Sequence, residues 1–230
     1  MSSNSFVPKT IKFWKTTSSI FLGVIVFFVL MNFGFFGKMP TFDELEKPKS
    51  SLASQVLAED GSLLGKFYLQ NRVNVLYQDL PKDLVNSLLA TEDIRFNEHA
   101  GIDIMALIGV VKGQLTGDNR GGGSTITQQL AKNLFPRSNY TTIGLILRKF
   151  KEWLIAVKLE RRYTKEEIIA GYFNTVEFSD NAFGVKSAAK TYFNKDLKDL
   201  NIQECALLVG MLKATYKYNP RVYEAAAKER

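Results

Sequence analysis

With 230 residues, 46% of them hydrophobic, the chain is long enough for one sizeable core plus an appendage. A formal charge of +7 and a pI near 9.3 favour anionic partners without choosing among nucleic acid, anionic lipid and phosphorylated substrates. One histidine and one cysteine exclude a His/Cys zinc site and an intrachain disulfide, which leaves Cys205, in the apolar run CALLVGML, as a buried inert thiol and keeps carboxylate-bound Mg2+ open.

The first element is an uncharged run of 22 residues between Lys15 and Lys38, about 33 Å as a helix against a hydrocarbon core of about 30 Å. Phe35, Phe36, Lys38 and Met39 crowd the place where a signal-peptide cleavage site would need small residues, so the span reads as an uncleaved anchor. Lys9, Lys12 and Lys15 precede it without an acid and Asp43, Glu44 and Glu46 follow it, which predicts a cytoplasmic N-terminus and an external domain. The expected division is residues 1–17 as a cytoplasmic tail, 18–38 as the transmembrane helix and 39–80 as a linker with a small β element turning at Asp60-Gly61.

Beyond Pro81 the periodicity is helical, through Leu84, Val85, Leu88 and Leu89 and then, after an Asp103 cap, Ile104, Leu107, Ile108 and Val111. Between these helices lies ATEDIRFNEHAGID, residues 90–103, which packs Glu92, Asp93, Phe96, Glu98 and the only histidine into eight positions. Acids at a helix C-terminus oppose the macrodipole, so local stability does not explain Glu92 and Asp93. A Glu in an apolar cleft is suited to general-base work, whereas His99, with no Ser or Cys motif around it, reads as a hydrogen-bonded structural residue and Phe96 as core or cleft floor.

The Gly-rich insertion GQLTGDNRGGGS, residues 113–124, is expected to form a loop and leads into STITQQLAKN, where Thr125 and Gln128 have capping-box spacing. A helix start there offers free N–H groups to an anion, but Gly123 stands directly before Ser124 where a Walker loop needs lysine. In TIGLILRKFKEWLIAVKLE the residues Ile143, Ile146, Leu147, Phe150, Trp153, Leu154 and Val157 share one face, expected to pack on the core, with Arg148, Lys149 and Glu152 opposite. Those three form either a plain i,i+4 pair with a neighbour or a charged cleft wall suited to a phosphate leaving group. Capping boxes at Thr164/Glu167 and Asn201/Glu204 open two further helices.

The successive stretches ATEDIRFNEHAGID, GGSTITQQLAKN, RKFKEWLIAVKLE and YTKEEIIAGYFNTV resemble the ordered motifs of the family 51 peptidoglycan glycosyltransferases of class A penicillin-binding proteins. The resemblance implies a mainly α, lysozyme-like catalytic domain over residues 81–220, following the small β element and the transmembrane helix, with residues 221–230 beginning a linker to a transpeptidase domain. It implies polymerisation of lipid II into β-1,4-linked glycan strands, with inversion and undecaprenyl pyrophosphate leaving. Glu92 would be the base for the acceptor hydroxyl, and Glu152 the second catalytic carboxylate. Lys132, Arg148 and Lys149 would surround the pyrophosphate, and Asp93, Phe96, His99, Gly123, Ser124, Thr125, Gln128 and Gln129 would line or support the substrate site.

No cofactor is required on this reading, with Mg2+ or Mn2+ an optional aid. The expected partners are lipid II, the growing glycan strand, the membrane and other cell-wall synthesis or division proteins, but not nucleic acid. The expected place is the bacterial inner membrane, single-pass, with the catalytic domain on the periplasmic side.

This chain departs from the family pattern at Gly109, where Arg is common and Lys112 lies a turn later, and at Asn194, which replaces a glycine but tolerates the left-handed conformation. Ser179-Asp180-Asn181 and Ser187-Ala188-Ala189-Lys190 match two penicilloyl-serine transferase motifs only by chance, since their order is reversed. The competing readings are a lysozyme-like hydrolase or lytic transglycosylase, which needs no cation cluster, and a basic membrane-anchored binding module, which leaves Glu92 and Glu152 unexplained.

Overall fold

The computed structural model describes residues 6–37, 39–41, 44, 54–57, 59, 63–67, 71–72, 74–117, 122–135 and 141–230. Helix α1 spans Phe6–Asn32, and its stretch Thr10–Asn32 is long and apolar enough to cross a membrane. It begins well before the uncharged run and stops short of the end of that run, because the chain breaks into turns at Gly34 and Gly37, whose φ angles of 82° and 106° favour glycine.

Strands β1 (Ser54–Leu57) and β2 (Leu63–Phe67) pair antiparallel with Ser54 opposite Phe67, which forms the small β element. The expected turn at Asp60-Gly61 lies outside the described residues. A second pair, β3 (Asn71–Arg72) and β4 (Ala182–Phe183), is parallel and ties the entry segment to the body. Asn174 completes that tie, its side chain exchanging two 2.8 Å bonds with the backbone of Val75.

The body is helical: α2 (Lys82–Glu92), α3 (Ile104–Thr116), α4 (Ile126–Leu134), α5 (Thr142–Arg162), α6 (Lys165–Thr175), α7 (Val185–Phe193), α8 (Ile202–Met211) and the short α9 (Glu224–Glu229). Leu84, Val85 and Leu88 of α2 are buried, as their spacing predicts, and α2 packs on α8, which buries Cys205, Leu208, Val209 and Met211. Burial, reinforced by Asp83 and Glu204, pushes the Cys205 thiol up to about 11, in keeping with an inert group. Both expected capping boxes form, at Thr164/Glu167 and Asn201/Glu204. Asn194 ends α7 in the left-handed conformation at φ 54°, ψ 32°.

Three local expectations are corrected. Thr125 caps α4 by accepting the Gln128 N–H, but the box is not reciprocal, because the Gln128 side chain turns to the Gly101 carbonyl. Residues 113–116 of the Gly-rich insertion continue α3, which stops only at Gly117 with φ 77°. The largest correction concerns α5. Its buried residues are Glu152, Ile155, Ala156 and Leu159, whereas Ile143 and Ile146 on the face expected in the core are 71% and 56% exposed. Phe150 of that face meets Phe27 and Phe28 of α1 instead, at ring distances of 5.4 and 5.6 Å.

Candidate active site

Helix α2 ends at Glu92, and the next residue, Asp93, turns back into the protein. The Asp93 carboxylate, 7% exposed, accepts the Ile126 N–H at the first turn of α4 (3.1 Å) and lies 3.0 Å from His99 Nε2. An acid that opposes the dipole of α2 therefore sits at the favourable N-terminal end of α4. The Gly101 N–H donates to His99 Nδ1 (3.2 Å), so the ring proton is on Nε2 and points at Asp93.

The turn between α2 and α3 is braced from behind. Lys165 donates to the His99 carbonyl (2.7 Å) and to Glu160 (2.9 Å), and lies 4.2 Å from the centre of the buried Phe96 ring. Gly101, at φ 92°, passes against the α5 backbone so closely that a Cβ there would meet the Ala156 carbonyl at 2.9 Å. Its own carbonyl accepts from Thr125 Oγ1 (2.8 Å) and Gln128 Nε2 (3.3 Å), which fixes the start of α4 against the turn. Asp103 caps α3 and pairs with Arg95 at 2.8 Å. Burial raises its carboxyl, but the Ala106 N–H and the Arg95 guanidinium more than offset that and hold it below the ordinary carboxylate value.

Against this braced wall stands α5. Glu152 is 3% exposed, accepts from Arg148 Nε (2.8 Å), and has Lys149 Nζ 2.8 Å from its other oxygen, off the line a hydrogen bond requires. Lys149 also reaches Ser124 Oγ at 3.2 Å, across to the Gly-rich segment. The i,i+4 pair and the cleft wall, expected as alternatives, coexist: Arg148 pairs with Glu152 along the helix, while Glu152 and Lys149 border the cleft.

Between the walls is a cleft of about 340 Å³ whose lining includes Glu92, Ser124, Gln128, Gln129, Lys132, Lys149, Glu152 and Lys213. A second hollow adjoins it through Glu92 and Ser124, reaching Asp93, Gly123, Thr125 and Arg95. Phe96, His99 and Arg148 are not on the cleft surface but stand behind it. Lys213, just after α8, escaped the sequence reading because nothing local marks it, and only the packing of α8 on α2 brings it to the cleft.

The two carboxylates differ in their partners. Glu92 Oε2 accepts from the neutral amide of Gln129 at 2.8 Å, whereas Glu152 lies between two cations. An unpaired carboxylate beside an open cavity can take a proton, and a cation-lined wall can hold an anion. As for a resident metal, ligand atoms of Asp93, His99 and Asp103 lie within 4.8 Å of one another. They do not fit an ion: their oxygens already accept from Ile126, His99, Ala106 and Arg95, and a divalent cation would have to displace that guanidinium.

A helical body with a carboxylate cleft lined by cations is compatible with a glycosyl-transferring enzyme, and residues 60–230 match the Transgly family, transglycosylase. The chain belongs to that family. It is similar to penicillin-binding protein 1A of Neisseria flavescens (37% identity, covering 91% of this chain and 25% of that protein) and of Pseudomonas aeruginosa (34%, 94% and 26%). The chain thus spans about a quarter of the length of the curated relatives it matches. Among solved structures, penicillin-binding protein 1A from Haemophilus influenzae aligns with 79% of this chain and 17% of its own at 22% identity and a TM-score of 0.41.

Proposed function

We propose that this domain is a membrane-anchored peptidoglycan glycosyltransferase that polymerises lipid II, with Glu92 as general base and Glu152 as the second carboxylate. The observation that carries the reading is that Glu92 and Glu152 open on one cleft with Lys132, Lys149 and Lys213 around it, an arrangement that a glycan hydrolase does not need. Glu92 takes the proton from the acceptor's N-acetylglucosamine 4-hydroxyl as that oxygen attacks C1 of the donor's N-acetylmuramic acid. The bond from C1 to the phosphate oxygen breaks, undecaprenyl pyrophosphate leaves, and the α linkage becomes β. Lys149 and Lys132 neutralise the departing phosphates, while Arg148 holds Glu152 in place.

The membrane expectation draws on two features. Helix α1 is long and apolar enough to span, and α3 exposes Ile104, Met105, Ile108 and Val111 with no buried residue of its own. Apolar exposure on that scale beside the cleft suits a surface held against lipid, where a polyprenyl substrate resides. The N-terminus is assigned to the cytoplasm from Lys9, Lys12 and Lys15, and the domain to the outer face.

The test is a lipid II polymerisation assay with the parent and Glu92→Gln. The variant is expected to lose at least about 10²-fold in turnover, the scale of general-base catalysis, while still binding a phosphoglycolipid inhibitor of the moenomycin type. Glu152→Gln is expected to lose activity as well. A folded Glu92→Gln protein that polymerises at the parent rate overturns the assignment, and release of sugar from finished peptidoglycan by the parent would favour the hydrolase instead.

A further inference from the structure

We propose that Tyr172, a buried residue of α6 away from the cleft surface, is a positioning residue that orients Glu92 for proton transfer through the side-chain amide of Gln129. The proposal rests on the reading of Glu92 as the base.

Tyr172 Oη donates to Gln129 Oε1 at 3.1 Å, and Gln129 Nε2 donates to Glu92 Oε2 at 2.8 Å. The three residues belong to three helices, α6, α4 and α2, and are linked only by the packing of the body. Helix α6 packs on α4, with Gly171 beside the Leu130 side chain. That brings the next residue, Tyr172, within reach of Gln129.

An amide can present either end to a carboxylate, and the wrong end places carbonyl oxygen against carboxylate oxygen. Tyr172 decides the matter. Its hydroxyl is 1% exposed at the residue level, burial and then the charge of Glu92 raise it well above the ordinary phenol value, and it remains a donor across the whole working range. A fixed donor selects the carbonyl end of Gln129 and so turns the NH2 end to Glu92. Glu92 Oε2 is thereby held, and among the described residues Oε1 accepts no hydrogen bond, which leaves it for the acceptor hydroxyl. The chain of donors is neutral, so it aims the carboxylate without the ion pair that ties Glu152.

The experiment is a double-mutant cycle in the full chain: parent, Tyr172→Phe, Gln129→Met and both together, with kcat and KM for lipid II and a thermal melt for each. Tyr172→Phe is expected to lower kcat about five- to tenfold, the scale of one hydrogen bond, with KM within about twofold of the parent. In the Gln129→Met background the same change is expected to do nothing further, because Tyr172 acts only through that amide. Equal losses in both backgrounds, or a fully active Tyr172→Phe, overturn the relay. A second measurement needs no variant: the Gln129 side-chain amide, followed by 15N NMR, is expected to exchange its protons far more slowly than exposed glutamines, and exchange at their rate overturns the proposal. An inactive Glu92→Gln alongside additive losses refutes the relay alone, whereas an active Glu92→Gln refutes the base assignment itself.

Discussion

The two walls of the cleft are built on opposite electrostatic plans. On the wall of α2 and α4, Glu92 is held by a neutral amide and, behind it, a phenol, and among the described residues no cation pairs with it, although Lys132 of α4 borders the same cleft. The wall of α5 is held by charge: Glu152 is almost fully buried between Arg148 and Lys149. Both oxygens of the Glu152 carboxylate thus lie 2.8 Å from a cation, so the group is occupied by its own helix. A carboxylate oriented by neutral groups stays available. The contrast supports the different parts proposed for the two glutamates of one cleft.

The largest effect that would sharpen this contrast is structural. Ile155, 4% exposed beside Glu152, anchors the charged wall to the core, and Ile155→Ala is expected to cost about 2–5 kcal/mol in denaturant unfolding. A loss below about 1 kcal/mol would mean that α5 is held by its charges rather than by its apolar contacts.

Next in size is Lys149→Ala. Lys149 is half-exposed and spans Glu152 and Ser124, so its removal is expected to weaken donor binding about tenfold, or about 1.4 kcal/mol, with a smaller effect at high salt. Glu92→Gln is expected to leave the same binding unchanged. If both variants bind equally and differ only in turnover, the walls do not divide binding from chemistry.

The third prediction tests the neutral wall through its edge. The Asp103 carboxyl is lowered in the fold, so it stabilises the protein at pH values above its unfolded value, near 3.8, and that contribution fades as pH falls through the folded value. Asp103→Asn keeps a cap acceptor but loses the charge facing Arg95, itself 39% exposed. The variant is expected to be less stable at pH 7 by up to about 1 kcal/mol, and the gap is expected to close below about pH 4. A gap that persists at acid pH would assign the effect to shape instead of charge.

Much of this arrangement was legible in the sequence wherever its cause was local. The α2 stripe, the two capping boxes, the Asp103 cap and the left-handed Asn194 depend on residues within a turn of one another. The pairing of Glu152 with Arg148 is local as well, and helical spacing alone placed them together. The Tyr172 relay was not legible, because Tyr172 and Gln129 are 43 residues apart and meet only once α6 packs on α4. The burial of α5 misled for a related reason. A helical wheel groups residues by face, but it cannot say whether an apolar face will meet the core, another helix or a lipid surface.

That last ambiguity gives the smallest prediction, drawn from the reverse side of the charged wall. Ile146 lies on the face of α5 richest in apolar residues, yet it is 56% exposed, and only further along does this face find a partner, where Phe150 meets Phe27 and Phe28 of α1. Truncating an exposed isoleucine removes little buried surface and opens no cavity, so Ile146→Ala is expected to change unfolding stability by less than about 0.5 kcal/mol in detergent-free solution. The same change is expected to reduce partitioning of the domain onto lipid vesicles if this face rests on the membrane, since transfer of each apolar methylene is worth about 0.8 kcal/mol. A stability loss comparable to that of Ile155→Ala would place the face in a protein contact. Unchanged stability and unchanged vesicle partitioning together would leave the apolar composition of the outer face of α5 without a lipid role, and would confine the contact with the membrane to α1 and α3.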